Sequence, residues 1–165
     1  MPVQQPVADA LNAQLGRELE AHLQYLSASS WFHAEGLPEL ARFFAAQAAE
    51  EHSHALRILD YLQDAGAPVV IPGLQGPKAT FESAEEAVAL SLDWERAVTA
   101  HIDALMDLAI SANDHATQAF LQWFVTEQVE EVATMSELLQ VVRRAGEANL
   151  LLVEDYVARS APAPE

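Results

Sequence analysis

Cysteine is absent from this 165-residue chain, which excludes disulfides, thiolate metal cages and thiol catalysis. Lysine is nearly absent: Lys78 is the one lysine among eight basic residues. Against those eight stand 25 Asp and Glu, a net charge of −17 at pH 7. Such a surface repels a phosphate backbone, so nucleic acid is not expected as a partner, and it concentrates cations. No apolar run approaches the ~18–20 residues of a bilayer span, and the stretch from Asn149 to Val153 is far too short. The start, Met1-Pro-Val-Gln-Gln-Pro6, carries neither the basic region nor the apolar core of a secretory signal. A cytoplasmic protein without a membrane partner is the expectation. With 51% hydrophobic residues the chain can fill one core, so a single domain over 1–165 is expected.

What is present is helical periodicity. Four segments carry lines of residues stepping by three and four, each marking one buried stripe. The first line is Leu11, Leu15, Glu18, His22, Tyr25, Ser29, Phe32. The second is Leu40, Phe44, Gln47, Glu51, His54, Ile58, Tyr61, Ala65. The third is Val88, Ser91, Glu95, Val98, Ile102, Leu105, Ala109, and the fourth Leu121, Phe124, Gln128, Glu131, Met135, Leu138, Val142. The punctuation agrees. Glu35-Gly-Leu-Pro38 separates the first two helices, with Pro38 suited to a first helical turn. Gly66 ends the second helix, Asn113 or Asp114 caps the fourth, and Gly146 ends it. From Ala67 to Ser83 the chain holds Pro68, Pro72, Gly73, Gly76 and Pro77, which predicts an extended connection. Stretched at ~3.3 Å per residue it reaches ~55 Å, enough to run the length of a ~40 Å helix and leave the second and third helices parallel. The expected fold is therefore all-α: a four-helix bundle over about 5–145, with a long crossover between helices two and three. A short C-terminal fifth helix is expected at about 147–159, too apolar to stand alone and so docked in an oligomer, followed by a disordered tail at 160–165.

The polar interruptions of these stripes carry the chemistry. Shifted by 77 residues, Glu18 falls on Glu95, Glu50 on Glu127, Glu51 on Gln128 and His54 on Glu131. Each half thus holds one carboxylate and, a hairpin later, a second cluster. Folding each hairpin at Gly36 or Asn113 brings both to one height within about a helical turn. Buried carboxylates at one level repel unless cations sit between them. Oxygen ligands with a single imidazole and no sulfur suit iron, manganese or zinc. Glu51-x-x-His54 is complete in the first half, while the second reads Gln128-x-x-Glu131, so two metal positions here should differ in affinity. Tyr25 is either a satisfied core tyrosine or a group beside the metals. His22 is expected as a neighbour of the site or a core histidine, not a ligand. His33, His101 and His115 have no evident partners.

Three segments, Arg17-Glu-Leu-Glu-Ala-His-Leu-Gln-Tyr25, Ala49-Glu-Glu-His-Ser-His54 and Phe120-Leu-Gln-Trp-Phe-Val-Thr-Glu-Gln-Val-Glu-Glu131, resemble the non-haem bacterial ferritins. Ile71-Pro-Gly73 is similar to the actinobacterial type. The resemblance covers nearly the whole chain and implies a ferritin-like bundle in a 24-subunit iron-storing shell. It implies a di-iron ferroxidase centre that oxidises Fe(II) with O2 or H2O2, the arrangement also described for di-iron carboxylate bundles in general. Glu18, Glu51 and His54 match its first iron site. Glu51 would bridge to a second site with Glu95, Gln128 and Glu131, with Tyr25 beside the pair. Glu50, Glu127 and Glu130 match a third iron site that shares Glu131. Haem is not expected, because haem-binding relatives carry a methionine where His52 stands and Glu-x-x-His in both halves. The pore acids of animal ferritins fall near Gln118 and Leu121, which are not acidic.

Rival readings are a haem bacterioferritin and a soluble di-iron or di-manganese oxidase-peroxidase. A metal-free scaffold would leave the stripe carboxylates unexplained, and a DNA-coating mini-ferritin would need sites between subunits and a basic tail.

Overall fold

The computed structural model describes residues 3–160. Four long helices, α1 (Gln5–Ala34), α2 (Pro38–Asp64), α3 (Ala84–Ser111) and α4 (His115–Ala145), are followed by a 3₁₀ turn (Glu147–Asn149) and a short α5 (Leu150–Ser160). The all-α expectation holds. Every member of the third and fourth predicted stripes is buried, and in the first two only His22, Ser29, Tyr61 and Ala65 are half-buried. Among the described residues no helix is long and apolar enough to cross a membrane.

The helix ends follow from local chemistry. Pro38 opens α2. Gly36, Gly66 and Gly146 adopt positive φ at the breaks, where a side chain would be strained, and Asn113 (φ 52) does the same in the α3–α4 turn. Asp114 caps α4 by accepting the amide of Thr117 (3.0 Å).

The crossover settles the topology. It tracks α1 about a turn at a time. The Asn12 side chain bonds Pro68 O and Val70 N, Glu20 accepts from Gln75 N, and Gln24 bonds both N and O of Lys78. Chain order rises along both, so the crossover runs parallel to α1 and hands the chain to α3 at the end where α2 began. Helices α2 and α3 are therefore parallel, and α1 with α3 antiparallel.

The C-terminal segment locks that shared end. Helix α2 has no capping side chain of its own. Glu154 of α5 supplies one from outside, accepting the amides of Glu39 (2.6 Å) and Leu40 (3.0 Å). Glu147 does the same for α3 at Ala84 (3.2 Å) and Glu85 (3.0 Å). Each places a carboxylate at a helix N-terminus, where free amides and the dipole favour it. Within the chain, one face of α5 is already used: Val153, Glu154 and Val157 are buried, while Leu151 and Leu152 stay exposed, the face left for the expected docking in an oligomer. Ser160 belongs to α5 and not to a tail; the remainder of the expected tail lies outside the described residues.

The buried apolar side chains form two clusters. One runs from Val7, Leu11 and Leu15 through Ile58 and Ile102 to Phe124. The other includes Phe32, Phe44, Val88, Met135 and Val153. Between them lies a polar waist at the level of Glu18, Glu51, Glu95 and Glu131.

Gly16 is the tightest point of the crossover: a Cβ there would come within 2.3 Å of Pro72 Cγ. Alanine in mid-helix normally gains ~1 kcal/mol over glycine, whereas overpacking costs ~1–3 kcal/mol. Gly16→Ala is expected to lower the thermal midpoint despite its better helix propensity. A raised midpoint in a calorimetric scan would show that Pro72 yields freely.

Candidate metal centre

Each helix brings one carboxylate to the waist: Glu18 from α1, Glu51 from α2, Glu95 from α3 and Glu131 from α4, all buried. His54 joins from α2, one turn beyond Glu51 and on the same face. Among the described residues three overlapping groups each offer ligand atoms within 4.8 Å of one another: Glu18, Glu51 and His54; Glu51, Glu95 and Glu131; and His54, Glu127 and Glu131. Glu51 is common to the first two, as a bridging ligand between two cations would be.

Partners orient these groups. Gln14 donates to Glu18 Oε1 (2.6 Å). His54 Nδ1 lies 3.7 Å from Glu18 and 3.5 Å from Glu51. The Tyr25 hydroxyl donates to Glu95, so the tyrosine left open between core and centre is hydrogen-bonded to the centre. Gln128 donates to Glu95 Oε2 and to Thr99 Oγ1, both at 3.2 Å. Trp123 packs edge-on against the His54 ring, and the Arg57 guanidinium covers Trp123 at 4.1 Å. Gln14 and Thr99 went unremarked in the sequence. Their signal was a polar side chain one turn from a stripe carboxylate, Gln14 before Glu18 and Thr99 after Glu95.

The remaining predicted residues sit at the edge. Glu127 is half-buried and joins His54 and Glu131. Glu50 is exposed and accepts from Gln47 Nε2 (3.0 Å), yet its charge is felt by Glu131. Glu130 is exposed and belongs to none of the three groups. His22 is half-buried with Nδ1 on Ala48 O, and His33 and His115 are exposed.

The electrostatics show a site with more negative charge than it can hold. Burial, followed by the neighbouring Glu18 and Glu95 charges, pushes Glu51 well above the usual carboxylate range, against a hydrogen bond with His54. Burial also raises Glu95. Burial, then Glu95 and Glu50, raise Glu131 to about 8. His54 loses from burial, but Glu18 and Glu51 outweigh that and raise it to about 11. Glu18, despite burial, is held below its ordinary value by His54, Glu51 and Gln14. Protons on Glu51, Glu131 and His54 thus offset part of the negative charge. Among the described residues three buried oxygens accept no hydrogen bond, Glu18 Oε2, Glu51 Oε1 and Gln47 Oε1, and two of them belong to candidate ligands. Hard oxygen donors, one imidazole and orphaned lone pairs suit iron or manganese.

A ferritin-like domain family matches residues 8–145. The chain belongs to that family. It is 43% identical over 146 residues to Ferritin BfrB of Mycolicibacterium smegmatis, covering 88% of this chain and 80% of the relative. It is 36% identical over 138 residues to a bacterial non-heme ferritin of Staphylococcus epidermidis, covering 84% of this chain and 83% of the relative. Among solved structures, a novel open pore ferritin from the hyperthermophilic archaeon Archaeoglobus fulgidus superposes with a TM-score of 0.92 at 30% identity. That superposition covers 96% of this chain and 98% of the other. The waist of this ferritin-like chain is therefore read in a family whose named members are ferritins.

The raised carboxylate of Glu131 has a thermodynamic consequence. Between its unfolded value near 4.5 and about 8 the folded state holds the extra proton, so stability falls as pH rises through that window. His54, raised to about 11, acts in the same direction above 6.5. Metal-stripped protein is expected to lose denaturant resistance steadily from pH 5 to 8, and Glu131→Gln is expected to flatten the slope. A slope that steepens in the variant would contradict the assignment.

Proposed function

We propose that this protein is an iron-storage ferroxidase. Two Fe(II) ions are its substrates at the waist, one held by Glu18, Glu51 and His54, the other by Glu51, Glu95 and Glu131 with Gln128 beside them. The observation that carries the reading is the meeting of two carboxylate groups at the shared Glu51. O2 or H2O2 accepts two electrons, one from each iron. Anionic oxygen ligands favour the harder Fe(III) product and so bias the couple towards oxidation. As iron binds, the protons on Glu51, Glu131 and His54 leave, since a ligand must give up its proton to coordinate. Tyr25, donating to Glu95, holds that carboxylate and stands within reach of the reacting pair.

Oxidised iron then passes to the interior of a shell, proposed as 24 copies in the cytoplasm, and accumulates as mineral. Glu50, Glu127 and Glu130 are assigned to a third iron position sharing Glu131. The mutual charge effects of Glu50, Glu127 and Glu131 support the first two members more than Glu130. Haem is not part of the proposal: Gln128 and Glu131 replace the second Glu-x-x-His, and His52 replaces the expected methionine.

Glu51→Ala is expected to abolish the fast phase of Fe(II) oxidation, followed by stopped-flow absorbance, while circular dichroism retains full helicity. Removing a carboxylate also removes repulsion, so the fold should survive. Unaltered initial kinetics in the folded variant would end the assignment of a shared bridging ligand.

Glu127→Ala is expected to keep the first burst and to change the iron-to-oxygen ratio and the later turnover. Loss of the burst as complete as in Glu51→Ala would merge the third position with the pair. An oxidase without storage would instead show about two metals per chain and no mineral after growth on iron, measured by size-exclusion chromatography with metal analysis.

A further inference from the structure

The two oxygens of Glu18 have different surroundings. Oε1 accepts a hydrogen bond from Gln14 Nε2 (2.6 Å), whereas Oε2 accepts none and lies 3.7 Å from His54 Nδ1. Gln14 is fully buried, and its own Oε1 accepts from the Arg17 guanidinium (3.2 Å). Two hydrogen bonds in series thus connect Arg17, a half-buried cation, to a buried candidate ligand. The iron chemistry above assigns Arg17 no part.

The order of donors in this series is forced. Arginine can only donate, so the Gln14 atom that meets it is the oxygen, and the amide NH2 is left for Glu18. Arg17 and Glu18 are successive residues of α1 and point to different faces. The guanidinium therefore acts on the carboxylate through Gln14, which lies three and four residues before them on the helix. A cation on the amide oxygen polarises the amide and strengthens its N–H as a donor. With Oε1 so engaged, Oε2 is the oxygen left for a metal, beside the imidazole nitrogen that would share the ion.

We infer that Arg17 is a positioning residue for the proposed first iron position, acting through Gln14 to hold Glu18 as a one-oxygen ligand through Oε2. The inference rests on the ferroxidase reading of the waist. Arg17 has two effects on a bound cation, and they have opposite sign. Its charge repels the cation, which alone would make removal of Arg17 tighten binding. Its hold on Gln14 orients the ligand, so removal weakens binding. Loss of a direct outer partner such as Gln14 typically costs ~10–100-fold in metal affinity, and Arg17, one bond further out, is expected to carry ~3–10-fold of it. The guanidinium is half in solvent, where screening reduces the repulsion, so the orienting effect wins.

The test titrates Co²⁺ alone, without oxygen, into the full-length, metal-stripped protein and follows its visible absorbance. The equivalent of interest is the one lost in His54→Ala. Arg17→Ala, whose truncation leaves the core intact, is expected to weaken that equivalent ~3–10-fold. Its absorptivity should also fall, because a released Glu18 can add its second oxygen and raise the coordination number. Arg17→Lys keeps a donor for Gln14 and should recover most of the affinity. In a Gln14→Leu background, Arg17→Ala should weaken binding no further. Unchanged or tighter Co²⁺ binding in Arg17→Ala would overturn the inference, as would a full further loss in the Gln14→Leu background. Retention of both Co²⁺ equivalents in Glu51→Ala would instead remove the shared centre, and the role of Arg17 with it.

Discussion

Four carboxylates from four helices meet buried in the middle of the bundle, and taking them away from water costs several kcal/mol each unless protons, hydrogen bonds or cations answer the charge. The rest of the structure is arranged around that cost. The apolar core divides into clusters above and below the waist, which anchor the helices while leaving the middle polar. Gln14, Tyr25 and Gln128 each turn a donor towards a carboxylate. What they leave over is taken up by protons on Glu51, Glu131 and His54, whose titration is raised above the ordinary range. In the proposed function these protons leave as metal binds, because a ligand must give up its proton to coordinate.

The carboxylates share a height only if the second hairpin sits beside the first in one register. Two features far from the waist impose it. The crossover is threaded along α1 by Asn12, Glu20 and Gln24, and Gly16 lets Pro72 approach the helix backbone. At the far end, Glu154 and Glu147 grip the N-termini of α2 and α3. Both devices constrain axial sliding, and sliding by one turn would move a carboxylate by ~5.4 Å, out of reach of its neighbours.

The broken symmetry of the repeat has a physical reading as well. On the first half, His54 lies between two carboxylates and is itself charged in their field. On the second, Glu131 stands at the equivalent place and is pushed towards neutrality. The two proposed metal positions thus present different charge before any ion binds, which favours ordered filling over simultaneous filling.

The period of the stripes, the caps and the 77-residue repeat are properties of neighbours along the chain. For that reason the helices, their ends, the extended crossover and the level of Glu18, Glu51, Glu95 and Glu131 could be read from residue order. Helical geometry converts spacing directly into height and face. Contacts between elements have no such rule. That Tyr25 bonds Glu95, that Gln128 reaches Thr99, and that Glu130 stays in solvent while Glu127 turns inward depend on where two helices meet and which rotamers survive there. The fifth helix is the plainest instance. Its apolar run announced a need for burial, but a carboxylate within it, Glu154, found the uncapped end of α2. The contact of the His22 and His52 rings, with centres 5.3 Å apart, is of the same kind: thirty residues apart in the chain, they meet because antiparallel packing brings one turn of α1 against one turn of α2.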